Sequence, residues 1–237
     1  AFAFPYFNSA WIDAATRAGM LARVCAPLAR LMPSVRNVCV LGERATLAGD
    51  VFPEGYAEQS PKAHYGIRYM KGGEPMLRAS DYARGWIAKR YPMRYATISL
   101  REASYWPERN SDRKAWEQVG WWLSKQGIHP VYIEDSEKGA DAVSMDLDLR
   151  AALYEGAVVN LGVSNGPMSM LPYLDAPYLL FKINTESCPS TSLAFLAAHG
   201  IQPGDSYGGR GRNVWKEDTY ENIIAELKEY ESNVVQL

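Results

Sequence analysis

Histidine and cysteine are scarce in this chain of 237 residues, which has three of each. Cys25, Cys39 and Cys188 are an odd number, widely spaced and without a CxxC pair, which argues against both a disulfide framework and a zinc site. No apolar run reaches the roughly 18 residues of a membrane span. Basic charge is not in excess: 25 Lys and Arg stand against 27 Asp and Glu, a formal net charge of -2, so a protein that tracks nucleic-acid phosphates is disfavoured. Missing too are GxGxxG after a strand and GxxxxGK[ST], which leaves the usual dinucleotide fingerprint and the phosphate loop without support. The opening Ala1-Phe2-Ala3-Phe4-Pro5 has neither the basic flank nor the length of a secretory signal, and a reducing cytoplasm is the expected compartment. Because residue 1 is not Met, the chain is read as processed or as a piece of something longer.

What is present is the composition of a globular protein, 47% hydrophobic and 22% charged. Apolar residues at helical spacing predict an amphipathic helix over 8–32, interrupted at Gly19, and a short buried strand over 36–42. From Glu43 to Gly73 the pattern dissolves into Gly, Pro and polar residues. A helix is expected over 74–91, and Tyr91-Pro92-Met93 breaks the chain. The expected division is therefore a small N-terminal α/β part over 1–92 and a larger domain over 93–237.

In that larger part strands and helices alternate. Strands are predicted over 96–100, 128–133, 157–163 and 178–183, with helices after 112, over 146–155, over 167–174, over 192–199 and over 217–230. Asn110 and Ser111 are the capping candidates for the first of these helices, with Asp112 in its first turn. Alternation of this kind gives an α/β fold, a Rossmann-like parallel sheet with helices on both faces and right-handed connections.

Ligands of such sheets bind outside the carboxyl ends of the strands, at the topological switch point. Three expected strand ends carry suitable groups: Arg101 with the loop to Arg109, Glu134-Asp135, and Ser164-Asn165-Gly166. The guanidinium groups of Arg101 and Arg109 suit a diphosphate, or else pair with Glu102 and Glu108. A carboxylate at Glu134 or Asp135 suits a ribose hydroxyl or a base. Gly166 and Pro167 read as a tight turn into a helix, whose first unpaired N–H groups and positive dipole end favour an anion. Gly162-Val163-Ser164-Asn165-Gly166 also matches the G-x-S-x-G elbow of α/β-hydrolases literally, with His199 as the one histidine that follows and Asp175, Asp205 or Asp218 as the acid.

The run from Val159 to Pro177, with Gly162-Val163-Ser164-Asn165-Gly166-Pro167-Met168 at its heart, resembles the nucleotide-binding segment of heptosyltransferase-like, two-domain (GT-B) glycosyltransferases. Ile98-Ser99-Leu100-Arg101-Glu102 is similar to the first strand of the same domain in fucosyltransferase-like members. The resemblance covers roughly 95–230. It implies a nucleotide-diphosphate sugar held by Ser164, Asn165, Gly166, Pro167 and Met168, with Arg101 on the donor phosphates. It further implies metal-independent transfer to a glycan or other acceptor, with no cofactor beyond the donor. Ser169 stands where a histidine is common in those enzymes, and Pro172 falls inside the predicted helix. The catalytic base is sought among His64, Asp50 and Glu54 in the irregular stretch. A non-catalytic nucleotide-sugar-binding relative and the Ser164 hydrolase are the alternatives.

Overall fold

The computed structural model describes residues 19, 21–33, 35, 36, 38, 77–136, 146–198, 201–205 and 210–234. Of the predicted helix over 8–32, residues 19 and 21–32 are among them, and of the strand over 36–42 only 36 and 38 are. Within the C-terminal part of that helix, Leu21–Cys25 forms a π-turn that runs into helix α1, Ala26–Arg30.

Five strands form one parallel sheet: β1 Tyr95–Glu102, β2 His129–Ser136, β3 Asn160–Val163, β4 Pro177–Phe181 and β5 Arg210–Asn213. Their spatial order is β2-β1-β3-β4-β5, so the connection reverses direction between β1 and β3. The switch point of the doubly wound fold is therefore that seam. Pairing across it is short. β1 runs beside β2 from Tyr95 to Glu102, but beside β3 only from Thr97 to Ser99. Beyond Ser99 and Gly162 that ladder ends, and the chain leaves the two strands as the loop from Ala103 and the turn at Ser164.

Helices cover both faces. Helix α2, Asp81–Arg90, is capped by Ser80, whose side chain accepts the Ala83 N–H. Helix α3, Arg113–Lys125, is capped by Asp112 itself, which accepts the Ala115 N–H at 3.1 Å, rather than by Asn110 or Ser111. Those two residues are drawn into the loop before it. Helices α4, Leu147–Gly156, α5, Leu193–Ala198, and α6, Tyr220–Val234, complete the set. One core places α3 and α6 against Ile98, Leu100, Leu161, Leu179 and Phe181. The other places α2 and α4 against Tyr95, Tyr178 and Leu180, and also takes in Leu31 and Leu77.

Two local readings need correction. Pro167–Tyr173 is a 3-10 helix, not an α-helix, because Pro172 inside it has no N–H to donate to the preceding turn. The strand β5 lies in a polar Arg-Gly-Arg-Asn stretch that periodicity does not flag; it forms because Gly211, lacking a side chain, lies directly against the backbone and ring of Tyr178 in β4. Among the described residues no helix is long and apolar enough to cross a membrane.

Candidate functional site

Above the seam, the loop from Ala103 to Ser111 is built around two side chains. Asn110 bonds both ways with Ala103, donating to its carbonyl and accepting its N–H, each at 3.0 Å. Arg101 is buried at the end of β1 and turns its guanidinium inward, donating to the carbonyls of Tyr105 at 3.0 Å and Trp106 at 3.3 Å and to the Asn110 side chain. Its ring neighbour is Tyr105, whose centroid lies 5.2 Å from the guanidinium carbon. Arg101 thus clasps its own loop from below. Burial, and then the positive charge of Arg109, hold its pKa below the ordinary arginine value.

Arg109 reaches across the seam. It donates to the carbonyl of Ser164 at 3.1 Å and to the Cys188 sulfur at 3.6 Å, joining the ends of β1 and β3 to the segment after β4. Its Nε is buried and has no hydrogen-bond partner among the described residues. Among the described residues neither Arg101 nor Arg109 forms an ion pair with a carboxylate. By contrast Lys182, at the end of β4, meets the buried Asp218 at 2.8 Å and also donates to the Asn110 carbonyl.

The acidic pair at the end of β2 is divided. Glu134 accepts both arms of Arg113, at 3.1 and 2.6 Å, on the exposed rim. Asp135 turns to the seam, where it takes a bidentate pair from Arg150 at 3.1 and 2.7 Å and a bond from the Asn165 amide at 3.1 Å. Arg150 is fully buried under the seam, and also donates to Tyr154 at 2.7 Å and Ser99 at 3.2 Å. Asp135 is therefore committed to the protein's own groups, as is Glu134.

The turn after β3 is more closed than its sequence suggests. Asn165 caps it by accepting the Met168 N–H at 3.0 Å, and the Ser169 N–H goes to the Gly166 carbonyl. Met168 is buried beneath the turn, where its sulfur accepts the Tyr154 hydroxyl at 3.1 Å. Pro167 opens the 3-10 helix, and Gly166 is exposed with φ -54°, a conformation open to any residue. The glycine that geometry demands is Gly162, where a Cβ would sit 2.8 Å from the Ser99 carbonyl oxygen. Ser164 itself lacks the strained backbone of a nucleophile elbow: among the described residues only Trp106 and Lys182 are non-glycines with positive φ. Trp106 lies in the Arg101 loop and Lys182 bonds to it at the Asn110 carbonyl, a concentration of backbone strain of the kind found at functional sites.

Of the residues picked out from the sequence, the structure gathers Arg101, Arg109, Asp135, Ser164, Asn165, Gly166, Pro167 and Met168 about one seam, and leaves Glu134 on its rim. His64, Asp50, Glu54 and His199 lie outside the described residues. Sequence reasoning passed over Arg150, Tyr154 and Lys182, and read Asn110 only as a capping candidate, yet these four knit the strand ends together. Arg150 carried a signal: with Leu147, Ala151 and Tyr154 it shares the i, i+3, i+4, i+7 stripe of a helix, so an arginine sits where an apolar residue is expected. A cavity of about 780 Å³ opens at the opposite end of the sheet, beside Tyr95, Gly156, Asp175 and Arg210. That is the amino-terminal end of the strands, away from these groups.

Comparison of the chain with protein-family models, with curated proteins and with solved structures gave no match.

Proposed function

We propose that this chain is a glycosyltransferase-like protein that binds a nucleotide-diphosphate sugar at the carboxyl ends of β1 and β3 and transfers the sugar to an acceptor without a metal ion. The observation that carries the reading is the pair Arg101 and Arg109: two guanidinium groups at neighbouring strand ends, the charge of Arg109 adding to burial in lowering the pKa of Arg101, with no carboxylate partner for either among the described residues. Placing like charges together is unfavourable unless an anion joins them, and a diphosphate fits their geometry and charge. The resemblance of the Gly162–Met168 run to donor-binding segments points the same way.

The division of labour follows from the contacts. Arg101 shapes the loop and supplies charge from beneath. Arg109 is the residue expected to touch the phosphates, since it is half-buried and, among the described residues, its side chain bonds a carbonyl and a sulfur but no carboxylate. Its orphaned Nε, which costs about 1–3 kcal/mol of lost solvation, gains a partner if the side chain turns to an entering anion. As the glycosidic bond to the donor breaks, negative charge grows on the leaving diphosphate, and preorganised positive groups stabilise it most at that moment. The short 3-10 helix with its N–H groups already capped contributes less than an open α-helix would. A base that removes the proton of the acceptor hydroxyl is sought in His64, Asp50 or Glu54.

The test is a thermal-shift and calorimetric screen of nucleoside diphosphates and nucleotide sugars on the wild type and Arg109→Ala. Ligand at about 100 times its Kd stabilises by about 2.7 kcal/mol, and the variant is expected to stay folded, as its own melting curve checks, but to lose that response. A wild type that responds to no diphosphate overturns the reading. Binding without turnover across an acceptor panel makes the chain a donor-binding relative instead.

A further inference from the structure

The loop that Arg101 clasps holds two aromatic rings out to solvent. Tyr105 is 57% exposed and Trp106 39% exposed. Their centroids are 5.5 Å apart with the planes at 82°, so one ring stands edge-on to the other and the two form a corner. Exposed rings on a free loop would be unremarkable, but this loop is fixed. Its carbonyls at 105 and 106 accept from Arg101, the Arg109 N–H returns to the Trp106 carbonyl at 3.0 Å, and the Ser111 N–H returns to the Arg101 carbonyl at 3.0 Å. Trp106 is moreover held in the left-handed region, φ 49° and ψ 62°, at an energetic cost that a relaxed loop avoids. The backbone is thus strained in a way that keeps an indole presented rather than tucked in.

We propose that Tyr105 and Trp106 form a stacking corner for the base of a nucleoside diphosphate whose phosphates meet Arg109. The inference rests on the reading above that the seam takes a nucleotide diphosphate, and it adds which protein groups hold the base. Three observations join here. Arg101 lies over the Tyr105 ring at 5.2 Å, and the Arg109 N–H bonds the Trp106 carbonyl at 3.0 Å, so the rings and the Arg109 cation leave one short turn. In a nucleotide, base and phosphate are likewise joined through one ribose. A cation over one face of Tyr105 also draws electron density from the ring, which favours a polarisable aromatic plane against it more than a hydroxyl-covered sugar.

The test uses the full chain and compares a ligand with a base against one without. Titration calorimetry of the wild type, Tyr105→Leu and Trp106→Asn is run with the four common nucleoside diphosphates and with inorganic pyrophosphate. Leucine keeps apolar bulk without a π face, and asparagine tolerates the left-handed backbone, so both variants are chosen to keep the loop folded; their melting curves check this. The expected result is a loss of affinity for the preferred nucleoside diphosphate on the order of 5- to 150-fold in at least one variant, with pyrophosphate binding unchanged. Equal losses for both ligands, or no loss for either, overturn the stacking corner and leave the anion site standing. A wild type that binds pyrophosphate as tightly as every nucleoside diphosphate does the same. If the wild type binds neither class, the donor-site reading itself falls.

Discussion

Asp135 closes a bidentate ion pair on Arg150 at 2.7 and 3.1 Å, and Arg150 has no exposed surface at all. The same carboxylate accepts from Asn165, so the charge pair under the sheet also sets the turn above it. Removing one member of a buried pair leaves an uncompensated charge. Asp135→Ala is expected to lower unfolding stability by about 3–5 kcal/mol, read from the urea midpoint.

Gly162 and Gly166 predict opposite outcomes for the same substitution. At Gly162 a methyl group meets the Ser99 carbonyl oxygen of β1 at 2.8 Å and the Met168 side chain, from the turn after β3, at 3.1 Å. Gly162→Ala is expected to cost about 1–3 kcal/mol. Gly166 has open space and an ordinary φ, and Gly166→Ala is expected to stay within about 0.5 kcal/mol of the wild type. Chemical denaturation of the two variants side by side decides this.

Burial raises the pKa values of Tyr95, Tyr132, Tyr154 and Tyr230 above the usual phenol value near 10. These groups keep their protons longer in the folded chain than in the unfolded one. Their contribution is whole below about pH 10 and is lost as the pH climbs through the folded values. The urea midpoint should therefore be insensitive to these groups between pH 7 and pH 9.5 and should fall above about pH 10. Tyr95→Phe is expected to lessen that fall, a change visible in midpoints measured on both sides of pH 10.

Asn213, at the end of β5, is 6% exposed, and among the described residues neither its amide nitrogen nor its amide oxygen has a partner. An apolar side chain of similar size removes the cost of burying those two atoms. Asn213→Leu is expected to raise stability by about 1 kcal/mol. A lower midpoint in denaturant would mean that the amide finds a partner in solution.

Much of the architecture was legible because burial on two faces writes itself into composition. The strands around Ile98, Ile133, Leu161 and Leu179 are apolar runs, and α3 shows its buried stripe of Ala115, Trp116, Val119 and Leu123. What escaped was decided by tertiary contact. The edge strand at Arg210 needs only Gly211 and a neighbour to lie on, and polar residues suit an edge. The cap of α3 passed to Asp112 because Asn110 and Ser111 had closer partners within the loop. At the site, the convergence of strand ends followed from the switch-point rule, whereas their pairing did not. No local pattern told that Asp135 would be taken by an arginine on α4, or that Arg101 would face inward to its own loop.

The short pairing of β1 with β3 has a dynamic corollary. Eight positions of β1 pair with β2, whereas three pair with β3 and backbone bonds from Val158 to Tyr95 and from Thr97 to Val159 extend that join only at its amino-terminal end, so the seam is the shorter of the two ladders that β1 makes. Amides of Thr97 to Ser99 guard a natural parting line, and slow breathing along it would widen the seam without disturbing either half. Deuterium exchange read strand by strand would then find that seam trading its hydrogens before the β1–β2 ladder does.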